Sequence, residues 1–188
     1  MRMTKTRLLT AIIAVLLVAA SAVAYFVNRN QQAQALAAEQ ASQQAEKEVT
    51  LADLDIRLQV LGGATKRLTD YSEGILFINF WATWCGYCKE EMPDLIKLDK
   101  QMRAEGIGMV LAIDVNEKAT EVSDYLKKMG FTDLTVLLDL KGDAAIKFGI
   151  QGYPSTFVFK NGKFIDARVG MMLWSDMLKL LDAAKKAV

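Results

Sequence analysis

The sequence predicts an α/β domain built around a mixed β-sheet with helices on both faces. Three observations predict it. The apolar run Ile75-Leu76-Phe77-Ile78-Asn79-Phe80-Trp81 reads as a buried strand, the periodic Met92, Leu95, Ile96, Leu98 and Met102 as a helix, and Gly106 to Ile113 as a second buried strand ending at Asp114. Strand, helix and strand in that order imply a parallel central pair. Ser155 to Phe159 and Lys163 to Val169 flank Asn161-Gly162, the strongest short signal for an antiparallel hairpin. Both cysteines of the chain lie in Trp84-Cys85-Gly86-Tyr87-Cys88, where the first strand hands over to the helix.

In chain order, residues 1–7 carry Arg2, Lys5 and Arg7 and no acid, and residues 8–27 are apolar apart from Thr10, Ser21 and Tyr25. About 20 apolar residues cross a bilayer as a helix, and a basic flank stays on the cytoplasmic side. Residues 1–27 are therefore expected to be a cytoplasmic N-terminus and a transmembrane signal anchor. Ala22-Val23-Ala24 also fits a signal-peptide cleavage site, with Leu8 to Ala20 as its apolar core. The retained anchor is preferred, because the apolar run continues through Tyr25, Phe26 and Val27; both readings send the remainder out of the cytoplasm. Residues 28–50 form a Gln/Ala-rich tether. Leu36 is the only large apolar residue there before Val49, so the tether has no coiled-coil seam.

Residues 51–188 are expected to form the globular domain, long enough for one core. Ile56 to Leu61 and Ala64 to Leu68 read as an N-terminal hairpin turned at Gly62-Gly63, with both glycines supplying positive φ. The helix after the cysteines runs to about Ala104, and Pro93 inside it should produce a kink. Glu117 to Met129 is amphipathic through Val122, Tyr125, Leu126 and Met129, and Gly130 stops it. Leu134 to Leu138 reads as a short strand and Asp143 to Phe148 as a short helix. Leu173 to Ala187 closes the chain with Trp174, Met177, Leu178 and Leu181 on one face.

Composition removes several function classes. With 23 basic and 22 acidic residues the net charge is +1, which argues against nucleic acid. The absence of histidine removes Cys–His and Ser–His–Asp catalysis, and two cysteines without histidine leave too few soft ligands for zinc. No metal and no cofactor are expected. A cysteine count of two leaves no structural disulfide framework, and a lone pair without a spare thiol suits an oxidising compartment.

The chemistry lies in the spacing of that pair. A strand delivers Cys85 to the mouth of a helix, whose unpaired N–H groups and partial positive charge stabilise a thiolate. Cys88, one turn on, can close a disulfide with it. Cys85 is expected to be exposed and to attack, Cys88 to resolve.

Phe80-Trp81-Ala82-Thr83-Trp84-Cys85-Gly86-Tyr87-Cys88-Lys89-Glu90-Glu91-Met92-Pro93 resembles the active-site signature of the TlpA/ResA-like family of membrane-anchored, thioredoxin-fold thiol–disulfide oxidoreductases. The resemblance covers roughly Leu51 to Val188. It implies a thioredoxin-like fold, with a short strand and helix between Leu134 and Phe148 as the family's insert. It also implies that Pro154 is a cis-proline facing the cysteines, so that the backbone of Tyr153 pairs with an incoming peptide. Trp84 is expected beside the disulfide and, with Tyr153 and Pro154, in contact with substrate; Trp81 is expected in the core.

In the family a glutamate at the position of Glu91 lies near the sulfurs and influences their acid–base behaviour. Glu91 therefore reads either as a proton-handling catalytic group or as a surface residue of the first helical turns. Asn79 stands where plain thioredoxins carry a buried acid, and an amide cannot exchange a proton in the usual range. Two departures qualify the resemblance: Gly86-Tyr87 differs from the common reductase dipeptides, and residues 148–153 differ from the Gly-Val-Pro-Glu pattern of the cytochrome c maturation branch.

The expected activity is reduction or exchange of disulfides in extracytoplasmic proteins through Cys85 and Cys88. The enzyme would be a single-pass protein of the cytoplasmic (inner) membrane, held by residues 8–27, with its domain in the periplasm or an equivalent space. Its partners would be substrate proteins with disulfides or thiols and a membrane thiol transporter as electron donor. A disulfide isomerase or oxidase is the alternative of the same class. A tethered peptide-binding chaperone or a Cu(I) carrier is the alternative of another class.

Overall fold

A computed structural model of the chain describes residues 21–36 and 49–187. The chain divides into two compact units, up to Lys47 and from Glu48. In the first, residues 21–36 are helical (α1), in keeping with the good helix propensity of Ala and Gln. Most of the expected membrane span, residues 8–20, lies outside the described residues, as do residues 37–48 of the tether. Among the described residues no helix is long and apolar enough to cross a membrane.

The second unit is an α/β domain. Its strands are β1 (Arg57–Val60), β2 (Thr65–Arg67), β3 (Ile75–Trp81), β4 (Gly108–Val115), β5 (Thr135–Asp139), β6 (Ser155–Lys160) and β7 (Lys163–Val169). Its helices are α2 (Leu51–Leu54), α3 (Gly86–Ala104), α4 (Ala119–Met129), α5 (Asp143–Lys147) and α6 (Trp174–Lys186), with a 3₁₀ turn at Leu68–Tyr71. The strands form one sheet in the order β2-β1-β5-β4-β3-β6-β7. β3–β4 and β4–β5 are parallel and every other pair is antiparallel, so the sheet is mixed as expected.

All seven residues of β3 are buried. A strand covered on both faces reads as continuous apolar sequence rather than alternation. Leu76, Ile78 and Phe80 join Leu111, Ile113, Val115 and Leu137 on one face, under α2, α5 and the 3₁₀ turn. Ile75, Phe77 and Val110 lie on the other face, against Leu95, Leu98 and Met102 of α3 and Met177 and Leu181 of α6. Trp81, Ala112, Val136 and Leu138 continue that face towards Cys85, Cys88 and Met92, with Val122 and Leu126 of α4. Helices cover both faces unequally, α3, α4 and α6, the longest of this domain, lying together on the side of the cysteines. β4 can approach β3 because position 108 is glycine: a Cβ there would sit 1.8 Å from the Ile75 carbonyl oxygen.

Several local expectations are corrected. Val49 and Thr50, read as tether, already pair with the sheet: Phe164 N–H donates to the Val49 carbonyl, and Thr50 bridges Lys163. In the first hairpin only Gly62 has positive φ. Met129 is exposed, and α6 buries Leu180 where Leu178 was expected. The Asn161-Gly162 turn forms with positive φ at both residues, as a type I′ hairpin requires.

Candidate active site

β3 ends at Trp81, and residues 82–84 carry the chain to α3. Cys85 is the N-cap of α3: its backbone is extended, and its Sγ accepts the N–H of Cys88 at 3.1 Å. Cys85 and Cys88 form a disulfide with Sγ–Sγ 2.10 Å and Cα–Cα 5.3 Å. The N-cap position gives a Cys85 thiolate an N–H donor and the positive end of the helix. Cys85 is less open than expected, at 6% exposure, but Cys88 at 1% is more enclosed. Gly86 and Tyr87 between them are exposed, so an incoming group reaches Cys85 from the tip of the helix.

The peptide bond Tyr153–Pro154 is cis. Its loop is held by Ser155 Oγ donating to the Gly152 carbonyl at 2.7 Å and by Gly170 N–H donating to the Pro154 carbonyl at 2.8 Å. Trp84 and Tyr153 stand edge to face, ring centres 5.8 Å apart, and with Cys85, Ile150, Gln151 and Gly152 they line one hollow. Trp84 is 66% exposed, which leaves a large apolar face beside the disulfide open to a partner. Trp84, Cys85 and Tyr153 are thus brought together, with Pro154 behind them.

Glu91 is not a surface residue. It is 2% exposed, one turn beyond Cys88 on α3. Its Oε1 accepts the N–H of Met172 at 3.2 Å, and its Oε2 the Nδ2 of Asn79 at 3.4 Å. Asn79 Nδ2 also donates to Thr156 Oγ1 at 2.9 Å. Burial raises the Glu91 carboxyl to about 7, with the nearby Asp94 charge adding to the rise; the Met172 and Asn79 hydrogen bonds oppose it. A carboxyl that titrates near neutrality can give or take a proton during exchange. Asn79, at the position of the missing acid, is therefore a hydrogen-bond partner of the acid on the helix.

Sequence reasoning missed another buried acid, on the sheet face of the cysteines. Asp114 at the end of β4 is 1% exposed, and neither carboxyl oxygen accepts a hydrogen bond of good geometry. The Nε1 of Trp81 and the hydroxyl of Tyr125 are also buried without a partner, their rings 5.9 Å apart. Burial, then the adjoining Glu117 carboxyl, push Asp114 up to about 8. Glu117 in turn accepts Thr83 N–H at 2.6 Å and Thr83 Oγ1 at 2.5 Å, fastening the loop that leads into Cys85. The one sequence signal was an acid ending an otherwise apolar strand.

Comparison with known proteins follows the same lines. Residues 30–168 match the family described as AhpC/TSA. Over 132 residues the chain is 33% identical to thiol-disulfide oxidoreductase ResA of Geobacillus thermodenitrificans, covering 70% of this chain and 75% of that protein. It is 35% identical over 133 residues to the thioredoxin-like protein YneN of Bacillus subtilis, covering 68% and 75%. Among solved structures, the exposed lipoprotein thioredoxin of Streptococcus pneumoniae superposes with a TM-score of 0.61 at 26% identity, covering 68% of this chain and 98% of that one. A thiol:disulfide interchange protein of Chlorobium tepidum gives 0.58 at 26% identity, covering 69% and 92%.

Proposed function

The chain belongs to the AhpC/TSA family, and from that premise we propose that it is a thiol–disulfide oxidoreductase tethered to a membrane, reducing disulfides of extracytoplasmic proteins through Cys85 and Cys88. The observation that carries the reading is the disulfide itself, with Cys85 capping α3 beside the cis-proline loop. In the reduced enzyme the Cys85 thiolate attacks a sulfur of the substrate disulfide. That bond breaks, the departing substrate sulfur takes a proton, and a mixed disulfide joins substrate to Cys85. Cys88 gives up its proton and attacks Cys85 Sγ, releasing the second substrate thiol and closing Cys85–Cys88. A dithiol donor, for which a membrane thiol transporter is the class expected, returns the two electrons.

Electrostatics supports the reductive direction. An oxidant of this fold needs a stabilised thiolate, which favours its reduced form. Here the helix terminus is opposed by the burial of both sulfurs and by Glu91 on the same helix, whose carboxyl at about 7 is partly ionised at neutral pH. Burial and negative charge near the sulfurs both disfavour the thiolate, so the disulfide form is favoured and the dithiol reduces. The anchor in residues 8–27 and the extracytoplasmic setting rest on the sequence pattern.

The test is trapping. Cys88→Ser should accumulate mixed disulfides with substrate proteins, separable on non-reducing gels, whereas Cys85→Ser should accumulate few. Equal trapping by both would reverse or abolish the assignment. Undiminished binding of unfolded protein by a Cys85→Ser, Cys88→Ser double variant, with no reductase activity in the wild type, would replace the enzyme by a chaperone.

A further inference from the structure

Asn79 leaves β3 without an acid, but the same sheet face carries one on the next strand. Asp114 is the register partner of Trp81, four residues before Cys85, and alternation along β4 puts it on the face of Ala112. Ala112 belongs to the cluster that contains both cysteines. We propose that Asp114 is a positioning residue for the thiol chemistry, its buried carboxyl setting how readily the Cys85–Cys88 pair ionises once reduced. The proposal rests on the reading of that pair as redox-active.

The surroundings give Asp114 no counter-charge. From its own loop it faces Glu117, from α4 Glu121. From the cis-proline loop it faces Tyr153, whose phenol is raised by burial, then by Asp139 at the end of β5 and by Asp114. Tyr125 of α4 is packed against Trp81, Lys89 of α3 lies over the Tyr125 ring at 5.7 Å, and Lys118, beside Glu117, pairs with Glu121 at 4.0 Å. Burial and the adjoining Glu117 carboxyl outweigh the Glu117 backbone N–H that favours the carboxylate, so the group stays protonated through neutral pH. While it is neutral, nothing at this position opposes a thiolate. Once it ionises, a like charge shares the buried cluster, and the thiols hold their protons more tightly. The coupling is reciprocal: a thiolate formed on reduction holds the proton on Asp114.

Glu117 supplies a mechanical link. It holds Thr83 through two hydrogen bonds, and Thr83 is two residues from Cys85. The proton on Asp114 thus bears on the loop that sets Cys85 at the helix mouth. Asp114 takes no part in bond-making. When a dithiol donor reduces the enzyme, the donor disulfide forms, Cys85–Cys88 breaks, and two electrons pass to the cysteine sulfurs. The two protons released by the donor thiols stay on those sulfurs or leave to solvent. Asp114 changes how many stay.

The experiment follows thiolate absorbance of the reduced full-length protein from about pH 5 to 10, with the reduction potential measured across the same range. Asp114→Asn should move the thiolate titration to lower pH, with about threefold or more additional thiolate on its rising part, and should raise the potential above about pH 8 with little change near pH 6. A purely structural Asp114 would alter stability and leave both curves superimposed on wild type, and that result overturns the proposal. Glu117→Gln, which keeps Asp114 but removes the adjoining charge, should move the Asp114-dependent inflection to lower pH. An unmoved inflection counts against the proposal even if Asp114→Asn does not fold. Reduction of insulin by the wild type is scored separately: its failure removes the oxidoreductase reading, whereas the titration still reports on Asp114.

Discussion

Glu91 shows why residue spacing alone leaves a role open. On sequence it is a glutamate in the first turns of a helix, a position that suits a solvated acid as well as a catalytic one. Its partners, Met172 and Asn79, come from 81 and 12 residues away, and Thr156 is 77 residues from the Asn79 it supports. No local pattern could bring them together. The same holds for Asp114, whose burial depends on α4 and β3 closing over it. The cysteines were legible because helix-mouth chemistry needs only local order. Burial holds Glu91 protonated to about pH 7 and Asp114 to about pH 8, far above about 4 for carboxyls in an unfolded chain. The folded protein binds protons that the unfolded chain releases in that window. This stabilisation is full below about pH 4 and is lost as pH rises through 7 and 8. Urea midpoints of the oxidised protein should therefore fall between pH 5 and pH 8.5, and Glu91→Gln should flatten the part below about pH 7. At pH 5, where the carboxyl is neutral, the amide should cost about 1 kcal/mol or less, because Asn79 Oδ1 has no partner and can accept from it. A pH-independent midpoint in the wild type would contradict the burial assigned to both acids. Glu91→Gln should also shift the pH–rate profile of disulfide exchange, and an unchanged profile would remove Glu91 from proton transfer.

At the scale of elements, periodicity and turn chemistry carried most of the fold. β3, α3, β4, both hairpins and α6 stand where apolar runs, glycines and Asn161-Gly162 put them. The sequence did not reveal how the N-terminal hairpin joins the sheet. β1 pairs antiparallel with β5 through Gln59↔Leu138 and Val60↔Leu137, a contact across most of the domain that leaves no local trace. The unequal cover of the two faces was hidden for the same reason, since a helix pattern states which side is apolar but not which sheet face receives it. Close strand approach gives a sharp test. Gly108→Ala should cost at least about 2–3 kcal/mol in denaturant unfolding, because its Cβ meets backbone that cannot turn aside. Gly130→Ala, at a left-handed φ of 72° but with open space around it, should cost only about 1 kcal/mol. Equal losses would mean that β3 and β4 do not pack as described. In the cis-proline loop, Tyr153→Ala and Trp84→Ala should lower kcat/KM for a protein disulfide several-fold while sparing a small disulfide, because the exposed indole serves a chain and not the sulfur chemistry.

For the whole molecule, compartment and direction of electron flow are set by properties of the entire chain. The apolar stretch and basic flank predict that a membrane fraction yields protein retaining residues 1–27 on mass spectrometry; a mature N-terminus at Tyr25 would mean a released domain. Direction belongs to the whole molecule because a reduction potential is the free-energy difference between two states of the entire fold. The opposing terms are the helix terminus at Cys85, which favours the thiolate, and the burial of the sulfurs with the partly ionised Glu91, which disfavour it. Burial and Glu91 are expected to prevail. The measurement that decides is the equilibrium potential of Cys85/Cys88 in redox buffers at neutral pH, read by alkylation and mass spectrometry. The account predicts a value below about −200 mV, on the reducing side of the roughly −180 mV of protein disulfide isomerase. A value at or above about −180 mV would make the protein an isomerase or oxidase and contradict the reductive reading.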